Sequence, residues 1–313
     1  MEAVAVLGPT ASGKSALALE LAARADGEII SLDSALVYRG MDIGTAKPSP
    51  EERARIRHHL IDIRDPAQSY SAAEFRRDCV ALVREIRARG RLPIICGGTM
   101  MYYSALVRGL SPVPRSSEAS RARVADEARR LGWPALHRRL AELDPRSGAR
   151  LSPNDRQRIS RALEVYYDTG RPLSLYWERR GEACPFSLSE LILLPENDDR
   201  AELRKIIRKR FLLMLEAGLV AEVSRLRERE DLSADTPSMR SVGYRQVWEY
   251  LDGKCSYEEM IERAVTATAR LAKHQMTWLR GALGASSPRR VRLTIGAQGN
   301  PAAALEALQA GEK

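Results

Sequence analysis

The chain has 313 residues, 44% hydrophobic and 29% charged, so it can bury a sizeable core and wholesale disorder is excluded. Fifty Lys and Arg against 41 Asp and Glu leave a net charge of +9, a balance that suits a polyanionic partner. No apolar run approaches the ~18 residues of a membrane span. The four cysteines, Cys79, Cys96, Cys184 and Cys255, are scattered like the four histidines and have no metal-finger spacing.

Met1 to Leu7 lacks the basic lead and cleavage site of a signal peptide, so a reduced cytoplasmic setting is expected, with no membrane partner. Ala3 to Leu7 reads as a short strand, Gly8 to Gly13 as a turn, and Lys14 to Arg24 as a helix. Glu28 to Leu32 is β-rich and ends at Asp33; His59 to Ile63 reads as a further short strand. From Ala72 to Arg89 the spacing of Phe75, Cys79, Leu82, Val83 and Ile86 predicts a helix closed by Gly90. Leu92 to Cys96 is a buried-type strand ended by Gly97-Gly98. Strands alternating with helices predict an α/β fold with a doubly wound parallel sheet. Ligands of such sheets sit beyond the carboxyl ends of the strands. The turns Gly8–Ser15, Asp33–Ser34 and Gly97–Thr99 all lie at such ends and should converge.

Pro112 and Pro114 mark a change of texture. Residues 115 to 181 read as helices separated by Gly132, Pro134, Pro145 and Pro153, with 15 basic against 9 acidic residues. Leu188 to Leu194 looks like a strand returning to the sheet, and residues 200 to 280 are again helical. Residues 273 to 290 carry four basic residues and no acid, so the positive charge is localised in two segments. The expected organisation is a catalytic core in two parts, 1–114 and 188–285. A helical insertion, 115–187, lies between them, and a tail, 286–313, follows.

Gly8-Pro-Thr-Ala-Ser-Gly-Lys-Ser15 matches the phosphate-loop pattern G-x-x-x-x-G-K-[ST], with a strand before it and a helix after. The glycines let consecutive N–H groups turn onto a phosphate, and the helix start adds its positive dipole end. Lys14 supplies a point charge, and the Ser15 hydroxyl is a ligand for Mg²⁺. This loop alone indicates a di- or triphosphate, not nucleotide hydrolysis. Asp33 after its apolar strand is either a Mg²⁺ ligand or base, or a turn-capping residue. Gly97-Gly98-Thr99 places a hydroxyl at a third strand end. His58 and His59 are adjacent on a strand and point to opposite faces, which favours packing or loop anchoring over joint ligation. Arg158 and Arg161, three apart on a helix, form either a phosphate clamp or a solvated face. Lys273, Met276, Thr277 and Arg280 share another helical face, with Trp278 to the side, a mix suited to phosphate contacts plus base or core packing; the tryptophan alone would more often be core.

Together with Asp33-Ser-Ala-Leu-Val-Tyr-Arg-Gly-Met-Asp-Ile-Gly-Thr-Ala-Lys-Pro48, His58-His-Leu-Ile-Asp62, Gly97-Gly-Thr-Met-Met-Tyr102, Asn154-Asp-Arg-Gln-Arg-Ile159, Ser241-Val-Gly-Tyr-Arg-Gln246 and Lys273-His-Gln-Met-Thr-Trp-Leu-Arg280, the loop resembles the tRNA dimethylallyltransferase (tRNA isopentenyltransferase) family over residues 3 to 282. The resemblance implies a phosphate-loop-NTPase-like core with an inserted all-helical domain. The implied reaction moves a dimethylallyl group from dimethylallyl diphosphate to the exocyclic N6 amine of the adenine 3′-adjacent to the anticodon, releasing pyrophosphate. It makes Asp33 the base, with Thr99 and Lys14 also catalytic. Gly8, Pro9, Thr10, Ala11, Ser12, Gly13, Lys14 and Ser15 would hold the donor, with Mg²⁺ on Ser15.

For tRNA contact the resemblance points to five groups. They are Asp33, Ser34, Ala35, Leu36 and Thr99; Arg121; Gln157, Arg158, Ile159, Ser160 and Arg161; Arg240, Ser241, Val242, Gly243, Tyr244 and Arg245; and Lys273, His274, Gln275, Met276, Thr277, Trp278, Leu279 and Arg280. A base inside a loop must be splayed out to reach such a site. His274 stands where the family more often has Arg, Ser15 where it more often has Thr, and the zinc-finger extension of some relatives is absent. A monomer is expected. The alternatives are a phosphate-loop kinase of a small molecule or nucleotide, an adenylate isopentenyltransferase, and a non-catalytic RNA-binding module.

Overall fold

The computed structural model describes residues 2–177, 181–195, 200–281 and 290–294. The chain forms two compact units, Met1–Val107 with Cys184–Lys313, and Arg108–Ala183. The unit borders fall a few residues before those expected from sequence.

In the larger unit, β1 (Ala3–Leu7), β2 (Gly27–Leu32), β3 (His58–His59), β4 (Leu92–Gly97), β5 (Leu188–Leu194) and β6 (Arg290–Thr294) form one sheet in the order β3-β2-β4-β1-β5-β6. Every pairing is parallel. The central strands are mostly apolar because both faces are covered, with Glu28 and Ser31 on β2 and Ser189 and Glu190 on β5 as buried exceptions. Alternate residues divide between two cores, as the two-residue period of a strand requires. Val4 and Val6 pack with Leu17, Ala18 and Leu21 of α1 (Lys14–Arg24). Ala3, Ala5 and Leu7 face the larger core.

That larger core also takes Phe75, Cys79, Val83 and Ile86 from α3 (Ala72–Ala88), which follows the short α2 (Pro50–Arg55). Leu106 comes from α4 (Met100–Arg108). The strand read over His59–Ile63 stops after two residues. Leu60 and Asp62 take left-handed backbone conformations (φ 61° and 57°), and the Asp62 carboxylate is held by Lys47 and Arg53. His59 Nε2 meets the buried Glu28 carboxylate at 2.6 Å and His58 Nδ1 meets the Ile56 carbonyl at 2.7 Å. Both histidines therefore anchor the edge of the sheet.

Residues 290–294, expected to lie in a tail, instead form β6, with Glu190↔Arg290 to Leu194↔Thr294 in register. Arg290 Nε donates to Glu190 at 2.6 Å, which pairs a charge buried on β5. The other residues of the expected tail lie outside the described ones.

The smaller unit is helical: α5 (Glu118–Leu131), α6 (Trp133–Leu143), α7 (Pro145–Arg150), α8 (Arg156–Thr169) and a 3₁₀ turn at Leu173–Tyr176. Val124, Leu136, Leu140, Ile159 and Leu163 make its core. Asp144 caps α7 by accepting from Ser147 N–H (3.1 Å) and also takes Ser174 N–H (2.9 Å). The larger unit continues after β5 with α9 (Arg200–Glu216), α10 (Leu219–Arg227), α11 (Tyr244–Leu251) and α12 (Tyr257–Arg280). No helix among the described residues is long and apolar enough to cross a membrane.

Candidate active site

The register pairs Gly97 with both Leu7 and Leu32, so the chain leaves β1, β2 and β4 at one level. The three turns expected to converge do so. With parts of α4, α9 and α12 they line a cavity of about 500 Å³.

Between Gly8 and Ser15 the backbone is left-handed at Ala11 (φ 64°) and Gly13 (φ 81°). Such a turn gathers successive N–H groups on one concave side. Gly13 starts α1 with no side-chain cap, leaving the helix N-terminus open to an anion. Thr10, Ala11, Lys14 and Ser15 line the cavity, and the Ser12 side chain is buried. Lys14 Nζ donates to the Pro9 carbonyl at 3.2 Å. Burial lowers its pKa, against the opposing pull of Cys96 and Asp33, while Arg210 pushes the same way as burial. The neighbouring Cys96 thiol is pushed up to about 11, mainly by burial, which makes it an inert packing group.

Asp33 takes the turn-capping role. Its Oδ1 accepts from Ala35 N–H (2.8 Å) and Leu36 N–H (3.4 Å), which builds the turn. Among the described residues Oδ2 has no hydrogen-bond partner, and Asp33 lines the cavity. Thr99 Oγ1 accepts from Ser34 N–H at 3.0 Å and donates to Ser34 Oγ at 3.4 Å, locking the second turn to the third.

Gln275 joins the first turn to the third. Its Oε1 accepts from Thr10 N–H at 2.8 Å and its Nε2 donates to the Gly98 carbonyl at 2.9 Å. Only glycine fits at position 98, because a Cβ there would lie 2.5 Å from Gln275 Nε2 and 3.0 Å from the Gly8 carbonyl.

Sequence reasoning missed Arg210. Leu203, Ile207 and Phe211 form the buried stripe of α9, and Arg210 follows Ile207 by three on the flank of that stripe. Its Nη1 donates to Thr10 Oγ1 at 3.4 Å; burial lowers its pKa while Asp33 opposes. Lys14 and Arg210 thus lie near one carboxylate in a cavity that also has apolar walls. Those walls come from Met100 and Met101 of α4, Ile207, Phe211 and Met214 of α9, and Leu271 and Trp278 of α12.

Several expected contacts fall elsewhere. Tyr244, Met276 and Leu279 are buried in the larger core, and Ile159 in that of the smaller unit, so their side chains are closed to any partner. The face expected from Lys273, Met276, Thr277 and Arg280 is not the cavity face. Thr268, Leu271, His274, Gln275 and Trp278 of α12 line it instead, because Ala272, Met276 and Leu279 turn toward the core. Trp278 remains 43% exposed rather than in the core. Arg240, Ser241, Val242 and Gly243 line the cavity, whereas Arg245 turns to Glu249 at 3.1 Å.

In the smaller unit Arg121, Gln157 and Arg158 are exposed. Arg158 and Arg161 both make local contacts. Arg158 pairs with Asp155 (2.9 Å), and Arg161 donates to the Pro114 carbonyl (2.7 Å) and to Ser116. Ser160 Oγ donates to Glu164 at 2.6 Å.

The Ser15 and Thr10 hydroxyls and the Asp33 carboxylate line the same cavity, a set of hard oxygen donors that suits Mg²⁺ supplemented by phosphate oxygens and water. No group of three or more His, Cys, Asp or Glu that could hold a metal occurs among the described residues. The donor set therefore fits a metal shared with a phosphate ligand and not a closed protein cage.

Residues 36–282 match the family model described as IPP transferase. The tRNA dimethylallyltransferases of Burkholderia ambifaria (strain MC40-6) and Burkholderia lata are each 54% identical to this chain, covering 97% of it and 93% of the relative. Among solved structures, the full-length tRNA isopentenylpyrophosphate transferase of Bacillus halodurans aligns with a TM-score of 0.69 at 34% identity, covering 100% of this chain and 98% of that one. A eukaryotic dimethylallyltransferase captured acting on tRNA aligns with a TM-score of 0.80 at 26% identity, covering 98% and 77%. A phosphate loop, a strand-end carboxylate and an apolar wall in one cavity, on a chain that matches these relatives along nearly its whole length, lead to one assignment: the chain belongs to the tRNA dimethylallyltransferase family.

Proposed function

We propose that this protein transfers a dimethylallyl group from dimethylallyl diphosphate to the N6 amine of the adenine 3′-adjacent to the anticodon of tRNA, acting as a monomer in the cytoplasm. The observation that carries the reading is the free Oδ2 of Asp33 in one cavity with Lys14, Arg210 and an apolar wall.

Each feature of the cavity meets one demand of the reaction. The loop N–H groups, Lys14 and Arg210 hold the diphosphate and stabilise the charge that builds as the C1–O bond breaks. The apolar side chains take the five-carbon group and exclude water. An adenine amine is a weak nucleophile, so Asp33 accepts its proton as the N6–C1 bond forms. Thr99 holds the 33–36 turn and faces the reacting groups. Ser15 would hold magnesium, which would supply neutralisation of the leaving-group charge. The basic segment 115–187, with Arg121, Gln157 and Arg158 exposed at its surface, offers the anticodon stem its phosphate contacts; Arg240 to Gly243 and the exposed residues of Lys273 to Arg280 offer more. The kinase alternative leaves the apolar wall without a task.

Labelled dimethylallyl diphosphate offered with tRNA, with AMP, or replaced by γ-labelled ATP and kinase acceptors separates the readings. Label entering tRNA supports this one. Label entering AMP alone, or γ-phosphate transfer without prenyl transfer, overturns it.

A further inference from the structure

Two walls of the cavity are irregular backbone: the loop Gly44–Ala46 and the segment Arg240–Gly243. Neither is held by a helix or strand ladder of its own. Behind them lies Glu222 of α10, 3% exposed, outside the cavity and outside every sequence motif. Its Oε2 accepts from Asp42 N–H (3.0 Å) and Ile43 N–H (2.9 Å), and its Oε1 from Gly44 N–H (3.2 Å). The Tyr244 hydroxyl donates to the same Oε1. Burial and this carboxylate push the Tyr244 pKa upward, so the phenol keeps the proton it donates.

Tyr244 begins α11 directly after Gly243, whose φ is +95°. Its ring also presses on the loop: a Cβ at Gly44 would lie 2.5 Å from the ring. One carboxylate thus gathers three loop amides and the residue that terminates the second wall. Four donors on two oxygens call for a carboxylate, since the NH₂ of an amide cannot accept.

We propose that Glu222 is a positioning residue for the reaction, fixing the 42–46 loop and the 240–244 segment to each other so that the cavity is shaped before substrate arrives. Hydrogen bonds to a charged acceptor are the strong kind, and a buried donor that loses its acceptor is costly. The kinetic part of the test rests on the reaction proposed above; the amide-exchange part does not.

The test compares the full-length protein with Glu222→Gln by hydrogen exchange at Asp42, Ile43 and Gly44, by thermal melting, and by steady-state prenylation of tRNA. Exchange at the three amides is expected to quicken by about tenfold or more, beyond any change in globally protected strand amides. The kcat/KM is expected to fall by about tenfold or more, carried mainly by KM, with kcat within about threefold. Unchanged exchange overturns the proposal; so does a loosened loop with kcat/KM within about twofold of wild type. If Glu222→Gln does not fold, Tyr244→Phe removes one donor and keeps the ring. It is expected to show the same pattern at roughly two- to fivefold, and no change in either readout overturns the proposal. If the wild type transfers no prenyl group, the proposed reaction fails, and the exchange result alone decides whether the carboxylate holds the loop.

Discussion

Gln275→Ala removes a side chain that joins the phosphate loop to the Gly98 turn. The wild-type amide is 9% exposed and makes two hydrogen bonds, to Thr10 N–H at 2.8 Å and to the Gly98 carbonyl at 2.9 Å. Leaving a buried donor or acceptor unmet costs about 1–3 kcal/mol per group. Both orphaned groups border the cavity, so the low end of that range applies, about 1–1.5 kcal/mol each and about 2–3 kcal/mol in all. Stability measured by urea unfolding should fall by that amount. The phosphate loop also loses its tether, so kcat/KM for prenyl transfer should drop roughly 30- to 150-fold if the same free energy is lost at the transition state. Gln275→Glu is the control. It keeps an acceptor for Thr10 but sets a carboxylate oxygen against the Gly98 carbonyl and a negative charge beside the diphosphate subsite, so activity should suffer more than stability. If Gln275→Ala stays within twofold of wild type in both readouts, the tether has no role in shaping the site.

Asp33→Ala should lose roughly a hundred- to ten-thousand-fold in turnover, the range for a positioned general base, while tRNA binding by filter retention survives; near-normal turnover would remove Asp33 from that role. The affinity for tRNA should fall steeply and log-linearly with salt, because phosphate contacts release counterions, and a flat response would argue against the basic segments as the docking surface. Glu28 predicts an acid limb in stability. Burial alone would raise its pKa, but Arg89 and His59 outweigh that and hold it at about 2 against an ordinary 4.5. A carboxylate with a lowered folded pKa contributes fully above the unfolded value and loses that contribution as pH falls through the folded one. The window is therefore pH 4.5 down to about 2, and the amount is on the order of 3 kcal/mol. Urea unfolding across that window should show this slope in wild type and a shallower one in Glu28→Gln.

The parts of the fold legible in sequence were those fixed by local pattern. β1, β2, β4 and β5 are mostly apolar runs, and α1 and α3 carry a clear helical period between turn residues. The convergence of Gly8, Asp33 and Gly98 followed from the parallel sheet alone, since strand ends in register must meet. What sequence reasoning missed depends on tertiary placement. Arg210 is one of many basic residues on α9, and only packing turns it toward Thr10. Glu222 reads as an ordinary helical acid until the 42–44 amides close on it.

The eight-residue window Lys273 to Arg280 leaves base contact and core packing both open for its face of α12, because it is too short to fix the phase of a helix. Extending it back to Met260, Ile261, Ala264 and Val265 reveals the buried stripe and leaves Leu271, His274 and Trp278 for the cavity. β6 begins with an arginine that satisfies Glu190, a pairing that hydropathy conceals. For Arg161, spacing shows which face a residue takes, not its contacts with Pro114 and Ser116.

The central claim is that this cavity joins a dimethylallyl group to one particular tRNA adenine. The most direct measurement incubates the protein with unmodified tRNA, dimethylallyl diphosphate and Mg²⁺, digests the tRNA and locates the added mass by nucleoside and fragment mass spectrometry. The account predicts a five-carbon group on N6 of the adenine 3′-adjacent to the anticodon, absent with Asp33→Ala. No modification with the wild type, or modification of a different nucleoside, would contradict it.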